Sequence, residues 1–458
     1  MHKRIFAVFA AVLTGITASV QCMMPKKASA LTFTPNTAIQ SNSAVLYNMD
    51  VDTIVFEKNA DMKEMPAALT QIMTAVIVLE NCTDVTADTV TASTEMFSPF
   101  VEYEYQSDLR YADINAGDTL SVEDLLYAMM LTSSCEASIM LATHFGAGTE
   151  SGFVEKMNAK AEALGMTNTR FTNATGLYSA RQLTTAHDMM LLLKYAMTVP
   201  RFEAISCAVS YTPSRAASLG KADKWNWKHS NTMAVSGTDY YCNGVRGIKT
   251  GNLQESGRSI ACKASRDGNN YLLVCLNAPM NDENEKSRFY HLEDAKNIVN
   301  WAFMHLTYQS VVSENTEVAE ISVENADGDN FVILKPKNSF SCIWCDTADI
   351  SSIQQIKNLD SNVKAPVETG DKLGTLTLKL SGETLAEIDL VASSSVKRSF
   401  WKYNMAEVPG FLKSKYLRRS WIIALILSII YIAVCIYAAV RFRMERKKRP
   451  QRPRQPRQ

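Results

Sequence analysis

Lys249-Thr250-Gly251 stands directly ahead of the clearest strand pattern in the chain. Arg258 to Ala264 and Tyr271 to Leu276 read as two strands around a turn at Asp267-Gly268-Asn269-Asn270. An amine and a hydroxyl placed before a hairpin can hold an anionic group or move a proton. Thr132-Ser133-Ser134-Cys135 is a second chemical stretch, a short polar turn between two apolar helical runs. Such a turn puts hydroxyls and a thiol on a wall of the core or of a cleft. The third stretch is Met65 to Glu80. After Pro66 it reads as a helix apolar almost all round, and a helix of that kind is buried in the middle of a large domain. Its head, where Ala68 and Gln71 stand, offers free N–H groups and a positive dipole end to a developing anion.

Other candidates read as structure rather than chemistry. The acids Glu102, Glu104, Asp108, Asp113 and Asp118 fall in a polar stretch and are expected on a solvated loop, so no metal site is expected. His187 is a lone histidine opening an apolar helix and reads as structural. Cys342-Ile-Trp-Cys345 has no helix start beside it and reads as two incidental thiols.

The surrounding elements set these groups in order. Ser43 to Tyr47, Thr53 to Lys58 and Val90 to Glu95 alternate as strands, and Phe97 to Asp118 is loop-like. Ser121-Val-Glu-Asp124 is a capping box opening a helix through Met130. Helix resumes from Glu136 to His144, and His291 to His305 is a further amphipathic helix. From Ser310 to about Val396 the texture changes to short alternating strands, an all-β module.

The chain has 458 residues and zero formal net charge, with 47% hydrophobic and 21% charged residues. Residues 1–30 carry +4 and residues 441–458 carry +8, which leaves −12 between them. An acidic body argues against nucleic acid as a partner. Residues 1–30 read as a secretory signal ending at Ala28-Ser29-Ala30. Residues 421–440 contain no charge and are long enough to span a bilayer. The basic segment after them is expected inside the cell and the body outside. The boundaries expected are 31–308 for the helical and strand domain, 309–396 for a β-sandwich-like domain and 397–420 for a juxtamembrane segment. Of the ten Cys, Cys22 is expected to leave with the signal and Cys435 lies in the apolar span, and the other eight form neither a dense disulfide framework nor a paired zinc site.

In order and context, the three chemical stretches resemble the D-alanyl-D-alanine carboxypeptidases, the low-molecular-mass penicillin-binding proteins. The resemblance runs from about Ala44 to Ser393 and includes Ala365-Pro-Val-Glu-Thr-Gly-Asp-Lys-Leu-Gly in the β module. It implies an α+β, penicillin-binding or β-lactamase-like domain: an antiparallel sheet flanked by helices, then a small all-β domain and a C-terminal transmembrane helix. It implies no cofactor. In the family a serine and lysine in Ser-x-x-Lys are nucleophile and base. Here those positions read Ala68 and Gln71. The Ser-x-Asn motif reads Ser133-Ser134-Cys135, with the relay serine kept at Ser133 and the Asn replaced by Cys135. Lys249, Thr250 and Gly251 stand at the carboxylate-binding strand. Main-chain N–H groups of Ala68 and Asn252 stand at the oxyanion hole, and backbone donors persist whatever the side chain. Ser218-Leu-Gly-Lys221 and Ser394-Ser-Val-Lys397 spell Ser-x-x-Lys without the apolar helix that the chemistry needs.

The expectation is therefore a membrane-anchored homologue of peptidoglycan metabolism that has lost acylation. It would act by binding D-Ala-D-Ala stem peptides or a cell-wall protein partner. The alternative is an active carboxypeptidase using Cys135, whose thiolate would be favoured by nearby Lys249.

Overall fold

The computed structural model describes residues 31–447. The expected secretory signal at 1–30 and the end of the basic tail lie outside the described residues. The chain divides into two compact units. The first runs up to Gln309 and takes back Cys342–Ser351, while the second holds Ser310–Ser341 and the chain from Ser352 onward.

The first unit is built on an antiparallel sheet. Its strands are β1 (Ser43–Asn48), β2 (Thr53–Lys58), β3 (Val245–Leu253), β4 (Gly257–Arg266) and β5 (Asn269–Ala278), in the order β2-β1-β5-β4-β3. Side chains alternate between the two faces as the strand period requires. Val45, Ala261, Leu272 and Val274 face one core, and Leu46, Ile260, Leu273 and Cys275 face the other. The register pairs Val45 with Val274 and Leu46 with Leu273, and a one-residue slip would exchange the two cores.

On the first face pack α1 (Thr70–Asn81), α2 (Val122–Thr132), α3 (Cys135–Phe145) and α4 (Ala186–Ala196). The opposite face is covered by α5 (Tyr290–His305) through Leu292, Ile298, Val299 and Ala302. The capping box opens α2: Asp124 N donates to Ser121 Oγ (3.0 Å) and Ser121 N to Asp124 Oδ2 (3.2 Å). α1 is buried from Thr70 to Val78, as its apolar circumference demands.

Two local expectations are corrected. The strand expected at Val90 to Glu95 is only Thr89–Thr91, and the loop expected from Phe97 begins after a helix, Thr94–Val101. Ser93 caps that helix by accepting from Met96 N. Met96, Phe97 and Phe100 then pack on a small cluster containing Leu109, Cys135, Ile139 and Leu177.

The second unit is all-β. Its strands are β6 (Ala319–Glu324), β7 (Phe331–Pro336), β8 (Gln354–Leu359), β9 (Val363–Lys364), β10 (Lys372–Leu380) and β11 (Glu383–Ala392), in the order β8-β10-β11-β7-β6-β9. Val332, Leu334, Leu376, Leu378 and Leu390 are among its buried residues. A helix follows at Phe400–Leu412, and then α6 (Lys415–Lys447), the one helix among the described residues that is long and apolar enough to cross a membrane.

Candidate active-site groove

The groove is organised at the head of α1. Ala67 lies in the left-handed region (φ 48°) and opens a tight turn, Ala67–Leu69, that feeds the helix. L-residues adopt that conformation at a cost of about 1 kcal/mol or more, so something must hold it. Two glycines do. A Cβ at Gly176 would stand 2.2 Å from Ala67 O, and one at Gly251 would stand 2.8 Å from Ala67 Cβ. The loop 173–177 and β3 thus clamp the turn by close backbone approach. A Cβ at Gly251 would also stand 3.3 Å from Ala68 N.

Ala68, Ser133, Cys135, Thr250, Gly251 and Asn252 share the wall of a cavity of about 710 Å³. Gln71 and Lys249 stand behind that wall, both fully buried. The positions that the resemblance implies for the site are therefore in or against one groove. Gln71 Nε2 donates to Ser133 O (3.2 Å) and Thr175 O (3.0 Å), tying α1 to the α2–α3 turn and to the glycine loop. Its Oε1 has no protein partner.

Ser133 ends α2 in a left-handed cap (φ 64°, ψ 27°), and Ser134 caps α3 by accepting from Ala137 N. The two helices meet with only these two residues between them. That link aims Ser133 Oγ at Lys249 Nζ, 2.5 Å away. The amine also donates to Met130 O (3.2 Å). Both partners are neutral oxygens, and burial brings the Lys249 ammonium down to about 7. Beside it, Thr250 Oγ1 is bonded to Ser230 Oγ (2.7 Å).

The Cys135 alternative meets an obstacle. Its thiol is buried against apolar neighbours, and burial pushes it up to about 12 despite the nearby amine. A thiol of that kind stays protonated at neutral pH and is a poor nucleophile. Of the two other Ser-x-x-Lys spellings, Ser218 and Lys221 do not line the groove, and Ser394 and Lys397 belong to the second unit. Lys221 pairs with Asp118, and Asp108 accepts from Gln254 N, so two of the expected loop acids are engaged. Among the described residues no three His, Cys, Asp or Glu are grouped for a metal ion.

Sequence reasoning missed three residues of the groove wall and one buried residue beside it. Ser230 and His229 precede β3 without any motif to flag them. His229 Nδ1 accepts from Asn231 N (2.9 Å) and Nε2 faces Ser206 O (3.0 Å), so Nε2 carries the proton. Burial, with help from Lys249, lowers His229 to about 4. Arg258 lines the cavity, its guanidinium 4.3 Å above the Phe289 ring and bonded to Ser287 Oγ (2.9 Å). His291 also lines it, with Nδ1 unpartnered.

A pH dependence of stability follows. Lys249 binds its proton less tightly folded (about 7) than unfolded (10.5). The unfolded state therefore holds more protons between those values, and stability rises with pH across that window. His229 acts likewise between about 4 and its ordinary 6.5. In thermal melts of the full chain in detergent, Lys249→Met should flatten the upper rise and narrow the lower one, because His229 keeps its burial and loses the Lys249 charge. An unchanged upper rise would mean that another group causes it.

The fold is that of penicillin-binding proteins. D-alanyl-D-alanine carboxypeptidase DacD from Francisella tularensis superposes with a TM-score of 0.57 at 23% identity, covering 81% of this chain and 97% of that one. Penicillin-binding protein 5 from Haemophilus influenzae gives 0.55 at 22%, covering 80% and 100%. The chain belongs to the D-alanyl-D-alanine carboxypeptidase family: residues 28–280 match its model, and residues 307–398 match Penicillin-binding protein 5, C-terminal domain. D-alanyl-D-alanine carboxypeptidase DacF of Bacillus subtilis is 26% identical over 369 residues, 80% of this chain and 88% of that protein.

Proposed function

We propose that this chain binds D-Ala-terminated stem peptides of peptidoglycan in the groove and no longer trims them by the family's serine route. The observation that carries the reading is the pairing of an intact Lys249–Ser133 contact and Thr250 with a methyl at Ala68 and a non-basic amide at Gln71. Loss of a catalytic nucleophile costs several powers of ten in rate, roughly 10⁴–10⁶ in measured cases. Gln71 supports retention of shape, because it holds the groove's two backbone carbonyls without adding charge. The Ala68 and Asn252 N–H groups would face the peptide carbonyl, and Lys249, Thr250 and Gly251 its terminal carboxylate. α6 would anchor the chain, with the body outside the membrane and the basic tail inside. The working domain limits are 31–308 and 309–396, followed by a 397–420 juxtamembrane segment. A second cell-wall protein docking on this body is compatible with the same reading.

Titration of a D-Ala-D-Ala peptide into the full chain tests the proposal. Saturable binding is expected, weakened about tenfold or more by Lys249→Ala through loss of a charged contact. A parent protein that binds no peptide would overturn it.

A further inference from the structure

We infer that Ser133 and Lys249 form a nucleophile–base couple of their own, able to accept an acyl group from a strained or activated carbonyl compound. The inference goes beyond peptide binding and does not depend on it. Ser133 lines the cavity, and its Oγ lies 2.5 Å from the Lys249 amine. Among the described hydroxyls of the cavity wall, it alone is hydrogen-bonded to an amine. Thr250 and Ser230 bond to each other, Thr132 Oγ1 donates to Ala128 O and Thr175 Oγ1 to Asn173 Oδ1. Ser134, next in the chain, is buried and spends its hydroxyl on Glu136 and on the cap of α3.

The couple is held from both sides. Gln71 fixes the Ser133 carbonyl, and the left-handed cap turns the side chain to the cavity. Met130 O fixes the amine. Burial leaves a large share of that amine unprotonated near neutral pH, which is the state a general base needs. The methyl of Ala68 lines the same cavity and brings no competing hydroxyl.

With a β-lactam the step balances as follows. The neutral Lys249 amine takes the Ser133 proton while Oγ bonds to the lactam carbonyl carbon. The ring C–N bond breaks, and its electron pair goes to nitrogen. That nitrogen then takes the proton from the Lys249 ammonium, which returns the amine to its neutral state. The product is an open-ring ester on Ser133, and no other reactant is consumed.

The test incubates the full chain in detergent with a fluorescent penicillin in large excess for hours. Denaturing gels and fragment-ion mapping of the labelled peptide follow. The expected result is an adduct on Ser133, with labelling at least tenfold lower in both Ser133→Gly and Lys249→Met. Glycine suits the left-handed φ at position 133, so the first variant keeps the cap while removing the hydroxyl. Thermal melts confirm that each variant is folded. An unlabelled parent, a label that survives Ser133→Gly, or an adduct on Cys135 would overturn the inference. Peptide affinity is measured on the same samples. Loss of the label with affinity intact removes this couple alone, and a label without affinity removes the binding proposal alone.

Discussion

The double substitution Ala68→Ser with Gln71→Lys should restore rapid acylation by penicillin, about 10³-fold or more above the parent, with the adduct at position 68. The parts that such chemistry needs around the two positions are in place. The left-handed turn at Ala67 is formed and clamped by Gly176 and Gly251, and β3 runs alongside the Ala68 N–H. Gln71 already reaches Ser133 O and Thr175 O. An ammonium there can donate to the same two carbonyls and keep a third direction for the new hydroxyl. Neither single change should suffice. Ala68→Ser alone adds a hydroxyl with no base beside it. Gln71→Lys alone buries a second amine close to Lys249, and a buried charge without a partner lowers stability by about 3 kcal/mol or more. A double variant that melts like the parent and stays at parental labelling would show that the groove has been rebuilt for another purpose.

Gly176→Ala should be strongly damaging to the head of α1. Gly176 has φ 84°, and its Cβ would lie 2.2 Å from Ala67 O, 2.6 Å from Ala67 C and 2.8 Å from Ala68 Cα. All three are backbone atoms at the head of a buried helix and cannot swing aside as a flexible side chain would. Strain at the new residue and displacement of the turn together cost about 3 kcal/mol or more. The melting temperature should fall by several degrees, and peptide binding should fall with it, because Thr175 O and Ala68 move together. Gly268→Ala is the matched control: it also has positive φ (84°), but its Cβ would meet nothing within 4 Å. If both variants lose the same stability, the clamp at Ala67 plays no part.

Most of the groove was legible because its residues sit in short local patterns. The capping box at Ser121, the polar turn at Ser133 and the strand at Lys249 are each readable within a few neighbours. What was not legible depends on distance along the chain. Gln71 could be recognised as lacking a base, yet its bonds run to carbonyls 62 and 104 positions away. Those bonds give the amide its structural role. Arg258 and Ser230 look like ordinary polar residues until the sheet and its preceding loop bring them to the cavity. Cys135 shows two effects in competition. Charge proximity to Lys249 suggests a lowered thiol, but the packing of Leu109, Ile139 and Leu177 around it is invisible before folding, and desolvation wins. The helix at Thr94–Val101 was hidden by Pro99 and by the acids that follow it.

The neutral surroundings of Lys249 have a thermodynamic corollary. Near pH 7 the amine divides between its two protonation states, because burial works against the cation and no anion stands in its hydrogen-bond shell. An anionic guest seated beside it supplies that preference and draws hydrogen ions from the buffer as it enters. Occupancy and proton uptake then become one linked equilibrium, in which mild acidity tightens the complex even as it loosens the empty fold.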